Sequence, residues 1–238
     1  MDAFLYTREF VTLVALGGVL ALDDRAGWQS LLSQPLFAAV LTGAICGRMD
    51  AALTVGVAME LVWLAILPMR GARRPDGAAG AIVGAGTACL LLQHTGDIRV
   101  VFLTSVGVLV GLVVGEVSGI VGRRLNRVRE RRLERFVLPE GGDTRAVARR
   151  LDLYYSAALA HTFLVEAAIV AAALPLSIWV AGSFTGLVDE PFASGARWWT
   201  DLLPAFGAAA AIQLYWHRHT NRFLVLAAVV VLVVLWIR

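Results

Sequence analysis

Residues 100–136 read VVFLTSVGVLVGLVVGEVSGIVGRRLNRVRERRLERF, and this stretch decides the fold class. Its first 22 residues carry one charge, Glu116, and the arginines begin at Arg123. About 20 apolar residues are enough for a helix to cross the hydrocarbon core of a bilayer. A helix that is apolar on every face must be covered by lipid or by other helices. The stretch therefore predicts a membrane-spanning helix that continues into a basic extension.

The composition of the whole chain also indicates a membrane protein. Of the 238 residues, 58% are hydrophobic and 16% are charged, whereas an average soluble domain has roughly 25% charged residues. The apolar residues come in blocks rather than in strands of about ten alternating residues, which argues against an outer-membrane barrel. We therefore predict an all-α, polytopic membrane protein.

Residues 123–150 form the one long hydrophilic stretch of the chain. They carry ten arginines against four carboxylates, a net charge of about +6, whereas the whole chain carries +3. The positive-inside rule places such a loop in the cytoplasm. Residues 182–200 have no positive excess and end near Trp198 and Trp199, as is typical of the outer side. We therefore expect a multi-pass protein of the bacterial inner membrane with residues 123–150 in the cytoplasm.

The arginines of this loop alternate with apolar residues over 123–136, which predicts a basic amphipathic helix. Between membrane spans, such a helix lies on anionic lipid or docks a cytoplasmic partner. Nucleic acid is another ligand for a basic helix, but the position beside the membrane argues against it. We predict that a partner docks on Arg127, Arg131 and Arg132.

Several apolar segments are too short for a crossing or are interrupted by a charge. They form two pairs, 35–47 with 50–69 and 202–216 with 223–237, one pair on each side of the basic loop. Such segments in both halves indicate short broken or re-entrant helices, as in transporters. No residue-level repeat relates the two halves.

Longer crossings are predicted at 100–121 and 154–181, the second with a kink at Pro175. The chain is then a single membrane domain. We divide residues 1–238 into an N-terminal membrane half, 1–121, a basic cytoplasmic loop, 122–151, and a C-terminal membrane half, 152–238.

Glu60 lies among the apolar residues 55–66. An ionised carboxylate that faces lipid costs about 2.5–3.5 kcal/mol on insertion scales, so Glu60 must face a cavity, find a partner or stay protonated. Two interpretations stay open. Glu60 is either a structural carboxylate bonded to backbone at a helix break, or a group that contacts a polar substrate or takes up a proton.

Three further carboxylates stand in or beside apolar segments. Asp76 precedes the glycine-rich segment 77–92 and predicts an N-cap for that helix, a role compatible with a sugar or gate contact. Glu116 and Glu166 are single carboxylates in apolar runs. We favour interhelical hydrogen bonding over a binding site for both, because such polar contacts are common between membrane helices.

No metal site or cofactor is expected. His217 and His219 are a weak signal, because imidazoles at i and i+2 of a helix point apart. Cys46 and Cys89 both lie in apolar segments, and we expect buried thiols.

Residues 34–77 read QPLFAAVLTGAICGRMDAALTVGVAMELVWLAILPMRGARRPDG. This stretch resembles the N-terminal half of the IIC subunit of the mannose/fructose/sorbose-type phosphotransferase system. Beyond it the likeness is architectural, with a mid-chain hydrophilic loop, a long crossing and a polar break near the C-terminus. The matching residues are Pro35, Leu36, Gly43, Gly47, Met49, Gly56, Glu60, Pro75 and Asp76.

The resemblance implies one half of a sugar-translocating membrane unit that pairs with a IID subunit and works as an oligomer in the lipid bilayer. Soluble IIA and IIB proteins carry the phosphoryl group, and the sugar is phosphorylated as it is released inside. The IIC subunit is not itself phosphorylated. The resemblance therefore implies a chain that is not an enzyme by itself and has no catalytic residues.

Two departures from the family pattern bear on the substrate. Arg48 stands where the family usually has an acidic residue. Residues 67–70 read Leu-Pro-Met-Arg where the family has a small polar stretch with Asn and Gly that helps to form the sugar site. This change points to an unusual substrate, for instance an anionic one. The predicted substrate-binding residues are Glu60, Asp76, Arg70 and Arg74.

The leading hypothesis is a permease subunit of a phosphoenolpyruvate-dependent sugar phosphotransferase system that translocates a hexose-type sugar. Two alternatives stay open, a non-transporting membrane scaffold or sensor that recruits a phosphotransfer partner, and a secondary transporter. The first intracellular product separates transport by group translocation from secondary transport, because only the former delivers sugar phosphate.

Overall fold

The computed structural model describes residues 8–25, 30–63, 75–95, 100–134 and 144–185. Within these ranges the chain is helical and contains no strand, as the all-α class predicts. The helices of these ranges are α1 (Arg8–Arg25), α2 (Pro35–Cys46), α3 (Met49–Trp63), α4 (Gly77–Thr95), α5 (Val100–Glu134) and α6 (Thr144–Thr185).

Helix α4 lies at the centre of the bundle. Residues 78–92 are all buried, and α4 contacts each of the other five described helices. A helix that is apolar all round belongs in such an interior position. Its 19 residues rise about 28 Å, close to the roughly 30 Å of the hydrocarbon core.

Helices α2 and α3 form a short hairpin around Gly47. Helix α2 has 12 residues and rises only about 18 Å, too little to cross about 30 Å of hydrocarbon. Gly47 has a left-handed φ of 69° that ends the helix. At Gly56 a Cβ would lie 2.5 Å from the Cβ of Ala39, so only glycine allows this approach. The predicted short helix within 35–47 is confirmed. Residues 64–69 of its predicted partner 50–69, and the pair 202–216 with 223–237, lie outside the described residues.

Helices α4 and α5 make the most extensive contact among the described helices. Glycines recur every four residues on α5 and face glycines of α4. A Cβ on Gly107 would lie 2.6 Å from the carbonyl oxygen of Gly84, and one on Gly111 would lie 2.8 Å from that of Gly80. Small residues at this spacing let two membrane helices bring their backbones together.

Helices α5 and α6 are the two described helices that are long and apolar enough to cross a membrane, over Val100–Val128 and Val147–Phe184. Each continues beyond its apolar part, α5 to Glu134 and α6 back to Thr144. The predicted loop 122–151 is therefore helical at both ends. Its N-terminal part stays helical because no Gly or Pro interrupts the sequence between Arg123 and Glu134.

Helix α6 runs through Pro175 without ending, and the predicted kink there stays a prediction. Close to this proline, α6 is held to the central helix by a buried hydroxyl pair. The Oγ1 of Thr87 and the Oγ of Ser177 lie 2.6 Å apart. A Cβ on Gly17 of α1 would lie 2.7 Å from Cγ2 of Val170, so α1 packs closely against the same helix.

Candidate functional site

Asp76 caps the N-terminus of α4 and ties it to α5. Its Oδ1 accepts a hydrogen bond from the backbone N–H of Ala79 at 3.0 Å, which confirms the predicted N-cap. Its own backbone N–H donates to the carbonyl oxygen of Gly115 at 2.8 Å. Asp76 is therefore held through both its side chain and its backbone, and only 6% of the residue is exposed.

Ser118 joins Asp76 to a second buried carboxylate, Glu166. The Oγ of Ser118 lies 3.1 Å from Oδ2 of Asp76 and 2.7 Å from Oε1 of Glu166. Ser118 and Glu166 are almost completely buried. A serine hydroxyl carries one proton, so Ser118 donates to one of the two carboxylates at a time. Three helices, α4, α5 and α6, meet at this point.

A cavity of about 270 Å³ opens beside Asp76. Pockets for small ligands begin at about 300 Å³, so this volume suits a small polar molecule. Acidic, basic and amide side chains line the cavity. Two glycines of α5 also line it, and they have no side chains to fill the space. Its lining residues are Asp24, Pro75, Asp76, Gly119, Gly122, Arg123 and Asn126.

Glu60 lies at the N-terminus of α2. Its Oε2 accepts a hydrogen bond from the backbone N–H of Leu36 at 3.2 Å. The N-cap residue of α2, Gln34, makes no side-chain cap, so a carboxylate from α3 satisfies a donor that the first turn leaves open. Of the two roles that the sequence left open for Glu60, this contact is the structural one, a carboxylate bonded to backbone. The substrate contact of Glu60 stays a prediction.

The N-termini of α2 and α4 lie against each other. A Cβ on Gly77 would lie 2.9 Å from Cγ of Pro35, so Glu60 and Asp76 cap two neighbouring helix ends. Helix N-termini carry partial positive charge, which stabilises the two carboxylates. Converging ends of short helices also form substrate sites in transporters.

The other predicted site residues are less completely described. Arg70 and Arg74 lie outside the described residues. Arg127 and Arg131 are exposed on the basic extension of α5, one turn apart on the same helix face. Arg132 is in the same helix, and its side chain lies outside what the structure describes.

Sequence reasoning missed the partners that surround Asp76. In the sequence, Ser118 is a single hydroxyl residue in an apolar stretch. Its spacing from Asp76 does not predict a contact between the two side chains. Asn126 and Arg123 were counted with the basic loop rather than with the membrane half. The glycine spacing on α5 was the available signal, since it predicts a face on which another helix packs closely.

In the described ranges, no group of three or more His, Cys, Asp or Glu side chains is placed to hold a metal ion. Cys46 and Cys89 are buried free thiols, as expected. Cys89 Sγ donates to the carbonyl oxygen of Arg48 at 3.4 Å, and Gln93 Nε2 donates to that of Cys46 at 2.7 Å. These contacts hold the hairpin tip to α4, away from the Asp76 cluster.

Comparison with known proteins decides the family. The model of the sorbose-specific IIC component of the phosphotransferase system matches residues 10–236. The chain belongs to this family. The match extends well beyond the 44 residues 34–77 that carry the resemblance in the sequence.

Comparisons with curated proteins and with solved structures bear on the fold. No curated protein matches this IIC chain by sequence. A solved structure described as a membrane protein is similar to it with a TM-score of 0.68 and 17% identity, over 97% of this chain and 92% of the other. At this identity the likeness supports the fold alone. The family makes the chain a membrane-embedded sugar-transport component that works with other components of the phosphotransferase system.

Proposed function

We propose that this IIC chain is a permease subunit that translocates a hexose-type sugar together with a IID subunit, while IIA and IIB proteins supply the phosphoryl group. The observation that carries the proposal is the cavity beside Asp76. Helix ends and hydrogen bonds hold its carboxylate in place. The site is therefore organised before a ligand arrives, which lowers the ordering cost of binding.

The chemistry of the cavity suits a molecule with many hydroxyl groups. Asp76 offers acceptor oxygens, while Arg123 offers N–H donors and the amide of Asn126 offers both. A neutral sugar can satisfy all of these groups without bringing a charge of its own into the membrane. Arg123 could also pair with an anionic substituent, which fits the unusual substrate predicted from residues 67–70.

The position of the cavity along α5 suggests how transport and phosphorylation are coupled. Arg123 begins the basic extension, which we place in the cytoplasm by the positive-inside rule. A sugar in the cavity would then lie close to the side on which the phosphoryl donor works. Arg127, Arg131 and Arg132 follow within two to three turns, and we propose that they dock that acidic or phosphorylated partner.

Glu60, Arg70 and Arg74 complete the proposed substrate site. Glu60 caps α2 where that helix meets the start of α4. Arg74 precedes Asp76 by two residues in the sequence, and we propose that it contacts the same substrate. Arg70 is four positions before Arg74 in the sequence, and we propose that it binds an anionic group of the substrate.

Substitution of Asp76 by asparagine tests the sugar site. Asparagine keeps the size of the side chain and can still cap α4, so the helix should form. A hydrogen bond to a charged group contributes about 1.5–3 kcal/mol, so we expect uptake of the labelled sugar to fall about tenfold or more. The measurement is uptake in cells that also express IIA, IIB and IID proteins, with the amount of this chain in the membrane quantified.

The matched control is Asp50→Asn. Asp50 is an exposed carboxylate at the hairpin tip that pairs with Arg48 at 3.2 Å, far in the fold from the cavity. This variant should transport like the unmodified chain. Equal uptake by the Asp76→Asn variant would show that the cavity is not the sugar site.

A scaffold or sensor role is the second candidate, and the exposure of Arg127 and Arg131 favours it. Under this hypothesis the unmodified chain transports no sugar, and replacing both arginines by glutamine should abolish recruitment of a IIB protein. The permease proposal requires sugar phosphate as the first product inside the cell. Uptake of unmodified sugar would instead indicate a secondary transporter.

A further inference from the structure

Ser118 makes two oxygen contacts with carboxyl groups, and its hydroxyl supplies a proton for only one of them. Its Oγ lies 2.7 Å from Oε1 of Glu166, a typical hydrogen-bond length, and 3.1 Å from Oδ2 of Asp76, a longer one. An ionised carboxylate only accepts hydrogen bonds, whereas a protonated carboxyl group also donates one. Both contacts are hydrogen bonds at the same time only when one of the two acids is protonated and donates to Oγ of Ser118.

Two ionised carboxylates at this point would also repel each other. Through the shared hydroxyl oxygen, Oδ2 of Asp76 and Oε1 of Glu166 are at most about 6 Å apart, a range in which a like charge favours the neutral form of an acid. Asp76 is 6% exposed and Glu166 1% exposed, so water screens this repulsion little. One proton held by the pair removes the repulsion and completes the second hydrogen bond.

The surroundings of the two acids differ, and they favour the proton on Glu166. Asp76 caps the N-terminus of α4, where a backbone N–H bonds its Oδ1 and the partial positive charge of the helix start stabilises an anion. It also lines the cavity, together with the cation Arg123 and a second acid, Asp24. Glu166 lies near the middle of the apolar part of α6, Val147–Phe184, where an ionised carboxylate is unfavourable.

We propose that Glu166 is a positioning residue of the sugar site, a neutral acid that donates to Ser118 and thereby directs the Ser118 hydroxyl to Asp76. This role depends on the proposed function, in which Asp76 binds the sugar. Because Oγ of Ser118 accepts the Glu166 proton, the hydroxyl proton of Ser118 goes to Oδ2 of Asp76. The carboxylate of Asp76 is then held at both oxygens, and its remaining lone pairs accept hydrogen bonds from the sugar.

Without a donor from α6, the hydroxyl of Ser118 has a competing acceptor in its own helix. A serine in a helix often bonds the carbonyl oxygen four residues earlier, as Ser105 of α5 does with Val101 at 2.8 Å. A Ser118 hydroxyl in that arrangement would no longer donate to Asp76. Glu166 therefore acts on the sugar site through Ser118, from a helix that contributes no described residue to the lining of the cavity.

Infrared spectroscopy of the full chain, purified and reconstituted in lipid, tests the protonation state. A protonated carboxyl group has a C=O stretching band above the bands of ionised carboxylates, and this band moves in D2O. We expect such a band at neutral pH that disappears in Glu166→Gln and shifts in Ser118→Ala, because the carboxyl group then loses its acceptor. Glu116→Gln, which removes another carboxyl group of the membrane region, is the matched control and should leave this band unchanged.

Labelling of glutamate with carbon-13 at the side-chain carboxyl assigns the band without any substitution, so the test does not depend on the folding of Glu166→Gln. The label should shift the band that responds to Ser118→Ala. The proposal is overturned if no such band is present at neutral pH, or if the band is insensitive to the label and disappears in Asp76→Asn instead.

The same spectra measure the effect on Asp76. The antisymmetric stretching band of its ionised carboxylate, identified by its loss in Asp76→Asn, should shift in Glu166→Leu and in Ser118→Ala, because both variants remove the bond from Ser118. It should stay in place in Glu166→Gln, since an amide N–H replaces the O–H donor. An unshifted band in Glu166→Leu would show that Glu166 does not position Asp76.

Sugar uptake distinguishes positioning from a purely structural role. The probe is labelled sorbose, the sugar for which the family is named, in cells that also express IIA, IIB and IID proteins. Glu166→Leu should raise the apparent KM about tenfold with little change in the maximal rate per transporter, as for one lost hydrogen bond to a charged group. Glu166→Gln should keep the KM of the unmodified chain.

The outcomes separate this proposal from the proposed function. An unchanged KM in Glu166→Leu, or an equally raised KM in Glu166→Gln, contradicts the positioning role. Normal uptake by Asp76→Asn contradicts the sugar site itself, whereas the infrared bands still decide whether Glu166 is neutral and orients Asp76 through Ser118.

Discussion

The two sides of α5 share one apolar sequence and have opposite surroundings. On one side Gly107 and Gly111 bring the backbone of α5 against α4, and Ser118 joins two buried carboxylates. On the other side Val113 and Glu116 are exposed. Hydrophobicity alone does not separate the two sides, because each is mostly apolar and carries a polar residue, Ser118 on one side and Glu116 on the other. Residue size and hydrogen bonding, rather than apolarity, decide which side of a membrane helix packs inside the chain.

The largest expected effect comes from adding one methyl group to the packed side. In Gly107→Ala the new Cβ would lie 2.6 Å from the carbonyl oxygen of Gly84, and a backbone atom cannot move aside without separating the helices. We expect the free energy of unfolding to fall by about 1–3 kcal/mol. The measurement is the midpoint of thermal unfolding of the purified protein in detergent.

Gly182→Ala is the matched control for this substitution. Among the described residues, a Cβ at Gly182 would have only Leu91 Cδ2 nearby, at 3.8 Å, an ordinary contact. Because alanine favours helix over glycine, this variant should be unchanged or more stable by up to about 1 kcal/mol. A similar loss of stability in both variants would mean that the close packing of α4 and α5 is not what the glycines provide.

Ser118→Ala tests the hydrogen bonds of the packed side. The substitution removes the hydroxyl that lies between Asp76 and Glu166, and a buried polar group that loses its partner costs about 1–3 kcal/mol. Sugar uptake should fall as well, since Asp76 loses a contact that orients it. Ser105→Ala is the control, because that hydroxyl bonds only the Val101 carbonyl of its own helix among the contacts assigned to it. Equal stability of both variants would contradict a structural role for the Ser118 bridge.

Gly115→Ala should affect transport more than stability. The new Cβ would lie 2.5 Å from Cη2 of Trp63, a side chain that can shift, and 2.9 Å from the carbonyl oxygen of Asp76. We expect a stability loss of about 1 kcal/mol, at the low end for overpacking, together with a clear drop in uptake because the cap residue is displaced. Normal uptake would show that the position of Asp76 tolerates this displacement.

The sequence predicted the elements of this fold better than their contacts. Hydropathy and length predict the spans at α5 and α6 and the short hairpin of α2 and α3, because both depend on local composition. The cap at Asp76 is also local, since it needs only an acid before an apolar helix. The apolar length of α5 and α6, the short length of α2 and the cap at Asp76 agree with these expectations.

The contacts of the candidate site depend on helix rotation and register, which one sequence does not contain. Ser118 lies 42 residues from Asp76 and 48 from Glu166, and their hydroxyl and carboxylates meet only when three helices are assembled. Glu60 and Leu36 are paired for the same reason, across a hairpin. Glu116 and Glu166 were interpreted alike as interhelical hydrogen-bonding groups. Glu166 makes such a bond within the chain, whereas for Glu116 that role stays a prediction.

The smallest expected effect on the isolated chain belongs to the open side of α5. Neither Val113→Ala nor Glu116→Gln removes a contact that the described chain makes, so each should change the free energy of unfolding by less than about 0.5 kcal/mol in dilute detergent. The measurement is thermal unfolding of the purified protein in dilute detergent. A loss of stability in the dilute, unassociated protein would place Glu116 inside the chain and remove the distinction between the two sides of α5.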